Sequence, residues 1–249
     1  MTATLSFPLA RRAAGALLGF ALPPRCPGCG VIVAADHSFC LACWQALDFL
    51  GGPACATCAE PLALAFHEDS RCAACLADPP PFTRVRAAVA YGDIARALAL
   101  KLKHGRRPGI ARTMARAMRR AADGLAADAL VAPVPLHRGR LWQRGYNQAA
   151  LIARALVRLT GGELAVDLIE RRKPTPLLRG LGRAARARAV AGAFAVPPRW
   201  RPRLRGARVL LIDDVYTTGA TARGCARALL RAGAAEVNVL CWARVGAER

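Results

Sequence analysis

The sequence predicts an α/β protein with a mostly parallel sheet, preceded by a small cysteine-rich module, and three observations carry that prediction. Past residue 81, short apolar runs alternate with amphipathic stretches, the rhythm of strands and helices in turn. Near the C-terminus the string Val209-Leu-Leu-Ile-Asp-Asp-Val-Tyr-Thr-Thr-Gly-Ala-Thr221 reads as a buried strand, a small hydroxyl-rich turn and the start of a helix. Ahead of both, four Cys-x-x-Cys pairs fall between residues 26 and 75.

At 249 residues the chain has room for one medium α/β domain plus an appendage, and 54% hydrophobic content is enough for a real core. No run of eighteen uncharged apolar residues appears, so no transmembrane segment is expected. Ala13 to Leu22, behind Arg11 and Arg12, has the outline of a signal peptide. It ends in Pro23-Pro24-Arg25 without a small-residue cleavage site, so residues 1–25 are read as a helical lead-in and the protein as cytoplasmic. The net charge of +21 is unevenly placed: residues 1–80 hold four basic and six acidic side chains, residues 81–249 hold 33 basic and ten acidic. A field of that size attracts polyanions such as nucleic acid, nucleotides or diphosphates. Because 34 of the 37 basic residues are Arg, codon drift in a GC-rich genome is the competing account, and charge alone leaves both standing.

The cysteines come next in the chain. Cys26/Cys29, Cys40/Cys43, Cys55/Cys58 and Cys72/Cys75 are four pairs at a spacing that points two thiolates at one ion, and two such pairs complete a tetrahedral shell. Eight ligands imply two zinc ions in a double zinc ribbon over residues 26–78. Disulfides need an oxidising compartment, a redox Cys-x-x-Cys does not normally come four times, and iron–sulfur clusters use other spacings. With every position filled by protein thiolate, the sites are structural. Neighbouring and interleaved pairing both fit the spacing. Cys225 and Cys241, alone in apolar segments, read as buried thiols.

Beyond Asp78-Pro79-Pro80-Pro81 a second domain spans 83–249. Val85 to Tyr91 reads as a strand, Ile94 to Lys103 and Ile110 to Ala122 as helices, and Ala129 to Pro135 as a strand. Asn147 to Leu159 follows as a helix and Val166 to Glu170 as a short strand. Residues 171–191, with seven basic side chains and no clean periodicity, read as a mobile loop. Val209 to Ile212 is a buried strand, Ala220 to Ala232 a helix and Glu236 to Trp242 a closing strand.

The chemistry gathers after the Val209 strand. Parallel sheets place ligands at the carboxyl ends of their strands, and a helix N-terminus offers unpaired amides to an anion. The turn from Tyr216 to Thr221 is therefore expected to surround a phosphate with backbone N–H groups and the hydroxyls of Thr217, Thr218 and Thr221. Gly219 lets the backbone come close, and Ala220 opens the helix whose dipole favours the anion. Asp213 and Asp214 are costly neighbours at a strand end unless vicinal ribose hydroxyls and a Mg²⁺ ion supply partners.

This string resembles the signature of the type I phosphoribosyltransferases, whose donor is phosphoribosyl pyrophosphate (PRPP). Together with Leu100-Lys-Leu-Lys-His-Gly-Arg-Arg107, Val134-Pro-Leu-His-Arg-Gly-Arg-Leu-Trp-Gln-Arg-Gly-Tyr-Asn-Gln148 and the four cysteine pairs, it is similar to the ComF family of competence-associated proteins, over about residues 22–245. The resemblance implies that Asp213 and Asp214 hold the ribose hydroxyls, that Thr217 to Thr221 hold the 5′-phosphate, and that Val134 to Gln148 supply a pyrophosphate loop. Arg144, Gly145 and Asn147 are the most distinctive members of that loop, and Mg²⁺ would bridge pyrophosphate and ribose. Lys101 and Lys103 lie in a basic helix where phosphate binding and a solvated face are both open. In the basic loop Thr175, Arg186, Arg188 and Phe194 match the family, with Arg186 and Arg188 candidate phosphate or DNA contacts. Leu178 and Ala189 stand where the family has Gln and Asn, and the loss of two hydrogen-bonding side chains bears on turnover. The resemblance further implies handling of single-stranded DNA, with DNA-uptake machinery at the inner membrane face as partner. Phosphoribosyl transfer to an unnamed acceptor and PRPP sensing are the other functions it allows.

Overall fold

Five parallel strands in the order β1-β7-β6-β2-β3 form the sheet that the alternating pattern predicts. The computed structural model describes residues 23–64, 67–174, 185, 188 and 190–246. The chain divides into two compact units, Met1–Ala46 and Leu47–Arg249. In the first, an antiparallel bridge between Arg25 and Ile32 precedes a short helix, α1 (Leu41–Gln45). The second holds α2 (Ala73–Ala77) and the whole sheet.

The strands are β1 (Arg84–Ala90), β2 (Leu130–Pro133), β3 (Glu163–Leu164), β6 (Arg208–Tyr216) and β7 (Glu236–Arg244). A separate antiparallel pair joins β4 (Glu170–Arg171) to β5 (Phe194–Ala195). Val209, Leu210, Leu211 and Ile212 are at most 1% exposed, because a central parallel strand is covered on both faces and so reads as a continuous apolar run. Helices follow the predicted stripe. Helix α3 (Asp93–His104) buries Ala95, Leu98, Ala99 and Leu102, and α4 (Ile110–Met118) buries Ile110, Met114 and Met118. Helix α5 (Arg138–Arg144) is short, α6 (Gln148–Thr160) buries Ile152 and Leu156, α7 (Arg201–Leu204) is a single turn, and α8 (Ala220–Arg231) buries Cys225 and Leu229.

Three elements differ from the sequence reading. The strand expected at Val166 to Glu170 is replaced by β3 and β4 on either side, because Gly161 and Gly162, both at positive φ, turn the chain early enough for Glu163 and Leu164 to pair with Leu130 and Val131. The helix expected to run to Ala122 ends at Met118 and closes in a 3₁₀ turn at Arg120–Ala122. Helix α5 stands inside the segment read as a loop. Cys225 and Cys241 are fully buried thiols, as expected. Among the described residues no helix is long and apolar enough to cross a membrane.

Candidate functional site

Strands β2 and β6 are neighbours, yet the chain leaves β2 for β3 on one side and β6 for β7 on the other. Such a reversal opens a crevice at the carboxyl ends of the two strands, where α/β sheets bind ligands. A cavity of about 690 Å³ lies there, and Lys103, Arg144, Asp213, Asp214 and Thr221 line it, five of the residues singled out in the sequence.

Each comes from a different route through the fold. Asp213 and Asp214 belong to the last residues of β6, which continues through Tyr216 because β7 continues beside it to Arg244. Asp214 is 4% exposed and forms an ion pair with Lys103 Nζ at 2.6 Å. Burial opposes the Lys103 charge, but the Asp214 carboxylate more than offsets this and raises its pKa above the ordinary value. Asp213 Oδ1 accepts the Asp214 N–H at 2.8 Å. Loss of water and the neighbouring Asp214 charge push the Asp213 carboxyl up to about 8.

Helix α5 supplies the opposite wall. His137 caps it by accepting from Gly139 N–H, and Gly145 ends it at φ 82°, the left-handed conformation that a helix C-terminus asks of glycine. Arg140, Gln143 and Arg144, at i, i+3 and i+4, share the face that lines the cavity. Arg144 Nη1 donates to Gln148 Oε1 at 2.6 Å, and its pKa is lowered by burial and by Arg140 against the pull of Asp214. Tyr146 Oη donates to the Leu102 carbonyl at 2.5 Å and so fastens this loop to α3. The Asn147 side chain accepts from Ala149 and Ala150 N–H and donates to the Val134 carbonyl at 3.0 Å, which caps α6 and ties it to the end of β2.

The Tyr216–Thr221 turn forms a small cradle that shares Asp213, Val215 and Thr221 with the large cavity. Helix α8 begins there with no side-chain cap and no acid in its first turn, so its amides and dipole face the cradle. Gly219 sits at φ 75°, and a Cβ there would come within 2.8 Å of Tyr216 Cζ and closer still to its hydroxyl. The Tyr216 side chain is buried, edge-on to Phe82 at 6.5 Å, so this residue forms the floor of the turn.

Not every candidate converges. Lys101 and Arg188 are not among the cavity-lining residues, and Arg186, Thr175, Leu178 and Ala189 lie outside the described residues. Phe194 is core, packed on the Gly224 backbone and under the Arg171 guanidinium at 5.4 Å. Sequence reasoning missed Arg140, Gln143 and Arg171 as cavity residues. For the first two the helical spacing in Arg138-Gly-Arg-Leu-Trp-Gln-Arg144 was a usable signal; for Arg171 there was none.

The cysteines resolve into two clusters. Cys26, Cys29, Cys40 and Cys43 converge, as do Cys55, Cys58, Cys72 and Cys75, the four Sγ atoms of each within 4.8 Å of one another. Neighbouring pairs are thus the ones that join. Zinc–sulfur bonds of 2.3 Å in a tetrahedron place sulfurs about 3.8 Å apart. The 3.6 Å separations Cys29–Cys40 and Cys58–Cys72 fit that shell, and are far from the bonded sulfurs of a disulfide. Two Cys₄ sites fit two structural zinc ions. A Cβ on Gly28 would lie 2.7 Å from Cys43 Sγ, so glycine is required for the first knuckle to close.

The sheet, its acid-bearing central strand and the paired Cys₄ clusters define an α/β protein with a parallel sheet and a double Cys₄ zinc-ribbon module. Residues 17–76 match the double zinc ribbon domain family. The chain is 32% identical over 230 residues to the DNA utilization protein YhgH of Salmonella typhimurium, covering 90% of this chain and 98% of that one. It is 29% identical over 227 residues to Competence protein F of Haemophilus influenzae, covering 88% and 96%. The chain belongs to this YhgH and ComF family. Among solved structures it is similar to the glutamine PRPP amidotransferase of B. subtilis complexed with ADP and GMP, at 18% identity and a TM-score of 0.37, over 57% of this chain and 30% of that one.

Proposed function

We propose that the chain binds PRPP with Mg²⁺ in the 690 Å³ cavity, contacts single-stranded DNA through its basic α/β domain, and serves DNA uptake in natural transformation. One observation carries the first part: an acid pair from β6, Lys103 from α3 and Arg144 from α5 converge on one cavity beside an uncapped helix N-terminus. Asp213 and Asp214 hold the ribose hydroxyls, Thr217 to Thr221 and the first amides of α8 hold the 5′-phosphate, and Lys103 and Arg144 face the pyrophosphate. The carboxylates suit a hard cation, and Mg²⁺ bound with PRPP would neutralise the diphosphate there. Cations fixed where a leaving diphosphate gains charge favour phosphoribosyl transfer over simple sensing. The family relatives named for DNA utilization and competence, and the excess of 33 basic over ten acidic residues past residue 80, support the DNA part. Lys101, Arg186 and Arg188 are assigned to DNA or phosphate contact. Ten unbridged thiols fit a reducing compartment, hence the cytoplasm, at the inner membrane face where incoming DNA emerges. In this reading the ribbon module spans 26–78 and the sugar-phosphate domain 83–249.

Titration calorimetry with Mg²⁺-PRPP on the wild type and on Asp213→Ala/Asp214→Ala tests the site; equal affinity for both proteins refutes it. Pyrophosphate release across a nucleobase panel separates transfer from sensing. Anisotropy of labelled single-stranded DNA should show affinity falling steeply with salt, and a salt-independent isotherm would remove the DNA assignment.

A further inference from the structure

Within the Leu47–Arg249 unit, the second cysteine cluster is bonded to both sides of the phosphate turn. On the strand side the link is Arg244, 5% exposed at the end of β7. Its Nε donates to the Cys58 carbonyl at 2.8 Å, its Nη2 reaches Cys58 Sγ at 3.7 Å, and the same nitrogen pairs with Glu60 at 2.5 Å. Arg244 is also the register partner of Tyr216, and its guanidinium carbon lies 5.7 Å from the centre of that ring. The Tyr216 ring in turn abuts Gly219.

On the helix side the link is Arg223, in the first turn of α8, whose N–H donates to the Gly219 carbonyl at 2.8 Å. Its Nη2 donates to the Asp78 carbonyl at 2.7 Å, and its Nη1 pairs with the Asp78 carboxylate at 3.2 Å. Asp78 ends α2, the helix that carries Cys75. The Cys55–Cys58 knuckle thus holds the end of β7, which pairs with the strand that enters the turn and carries Arg244 against its Tyr216, and the Cys72–Cys75 knuckle holds the helix that leaves the turn. A metal ion joining the two knuckles closes this ring and sets the width of the turn.

We propose that metal loading at Cys55, Cys58, Cys72 and Cys75 and anion binding at Tyr216–Thr221 are thermodynamically linked, with Arg244, Tyr216 and Arg223 as the positioning residues. The ligand's identity as a sugar phosphate rests on the function proposed above; the linkage does not. Linkage is reciprocal, so a ligand that prefers the clamped turn must also hold the metal more tightly.

The experiment uses the full-length zinc-loaded protein. Zinc release to a chromogenic chelator is followed with and without saturating Mg²⁺-PRPP, and hydrogen exchange of residues 216–222 is compared among wild type, Arg223→Met and Arg223→Lys. One of the two zinc ions should leave about fivefold or more slowly in the presence of ligand. Arg223→Met should raise exchange in the turn and weaken Mg²⁺-PRPP binding about fivefold or more, and Arg223→Lys, which keeps the charge, should recover part of both. Unchanged release with ligand demonstrably bound overturns the linkage. If Mg²⁺-PRPP does not bind the wild type, the function reading fails, and hydrogen exchange decides the linkage alone: wild-type protection in Arg223→Met refutes it.

Discussion

Replacing Gly219 by alanine should disable the phosphate turn, and the structure separates the reasons. At φ 75° a residue with a Cβ costs about 1–2 kcal/mol in backbone energy. The added carbon also falls 2.8 Å from Tyr216 Cζ, and that ring cannot simply swing aside: it is 7% exposed, with Phe82 edge-on at 6.5 Å and Arg244 at 5.7 Å. Overpacking of this kind adds about 1–3 kcal/mol. The total is roughly 2–5 kcal/mol, or on the order of 5–15 °C in the melting temperature of a domain of about 200 residues. Urea unfolding of the zinc-loaded protein measures it, and a second background divides it. In Tyr216→Leu the ring is gone, so Gly219→Ala should there cost only the backbone part, about 1–2 kcal/mol. An equal cost in both backgrounds, or a cost below about 0.5 kcal/mol in the wild type, would refute the close-approach argument.

Asp213 makes a pH prediction. Its carboxyl is pushed up to about 8, whereas the unfolded chain releases that proton near 3.8. The native state therefore binds more protons than the unfolded state across that window, and the stability of the ligand-free protein should fall as pH rises from about 4 to about 8. Binding Mg²⁺-PRPP needs the ionised form, so calorimetry at pH 7 in buffers of different ionisation enthalpy should show proton release, absent in Asp213→Asn. Lys103→Met removes the partner of a buried carboxylate. Because Lys103 is 26% exposed and the pair borders an open cavity, the expected loss is roughly 1–3 kcal/mol, less than for a fully buried pair, with weaker PRPP binding; no loss in urea unfolding would contradict the ion pair. Arg199→Ala breaks a pair with Asp167 at 2.7 Å whose side chains are more than half exposed. Its effect should stay below about 1 kcal/mol in the same assay.

What the sequence revealed and what it hid follow from the range of the interactions involved. Cysteine pairs and the apolar run of β6 are local signals, and both were legible. The end of β6 was not: Val215 and Tyr216 are strand because Ala243 and Arg244 lie beside them, a pairing across some 28 residues that no local window contains. Lys101 and Lys103 looked equivalent, but two residues on a helix are about 200° apart, so only one can face the cavity. Asn147 stood out in the motif, and the described contacts of its side chain are to the backbone of α6 and β2. Arg171 hid in a segment without periodicity, and it reaches the cavity only because β4 pairs with β5, whose Phe194 lies 23 residues further on.

The acid pair is the strongest case that local cost marks function here. At the same level of the sheet, β7 places Cys241 and Ala243, both fully buried and uncharged, beside Asp213 and Val215. A sequence shaped for stability alone would continue in that way across β6. Instead two adjacent carboxyls lie near the end of the strand, one pushed up to about 8 by burial and its neighbour's charge and the other held by an ammonium from a helix more than 100 residues earlier. Replacing a whole buried ion pair by apolar side chains of similar volume is often neutral or stabilising, so folding does not account for the acids. A polyhydroxyl ligand with an accompanying cation does, since it supplies donors to both carboxyls and a positive charge beside them.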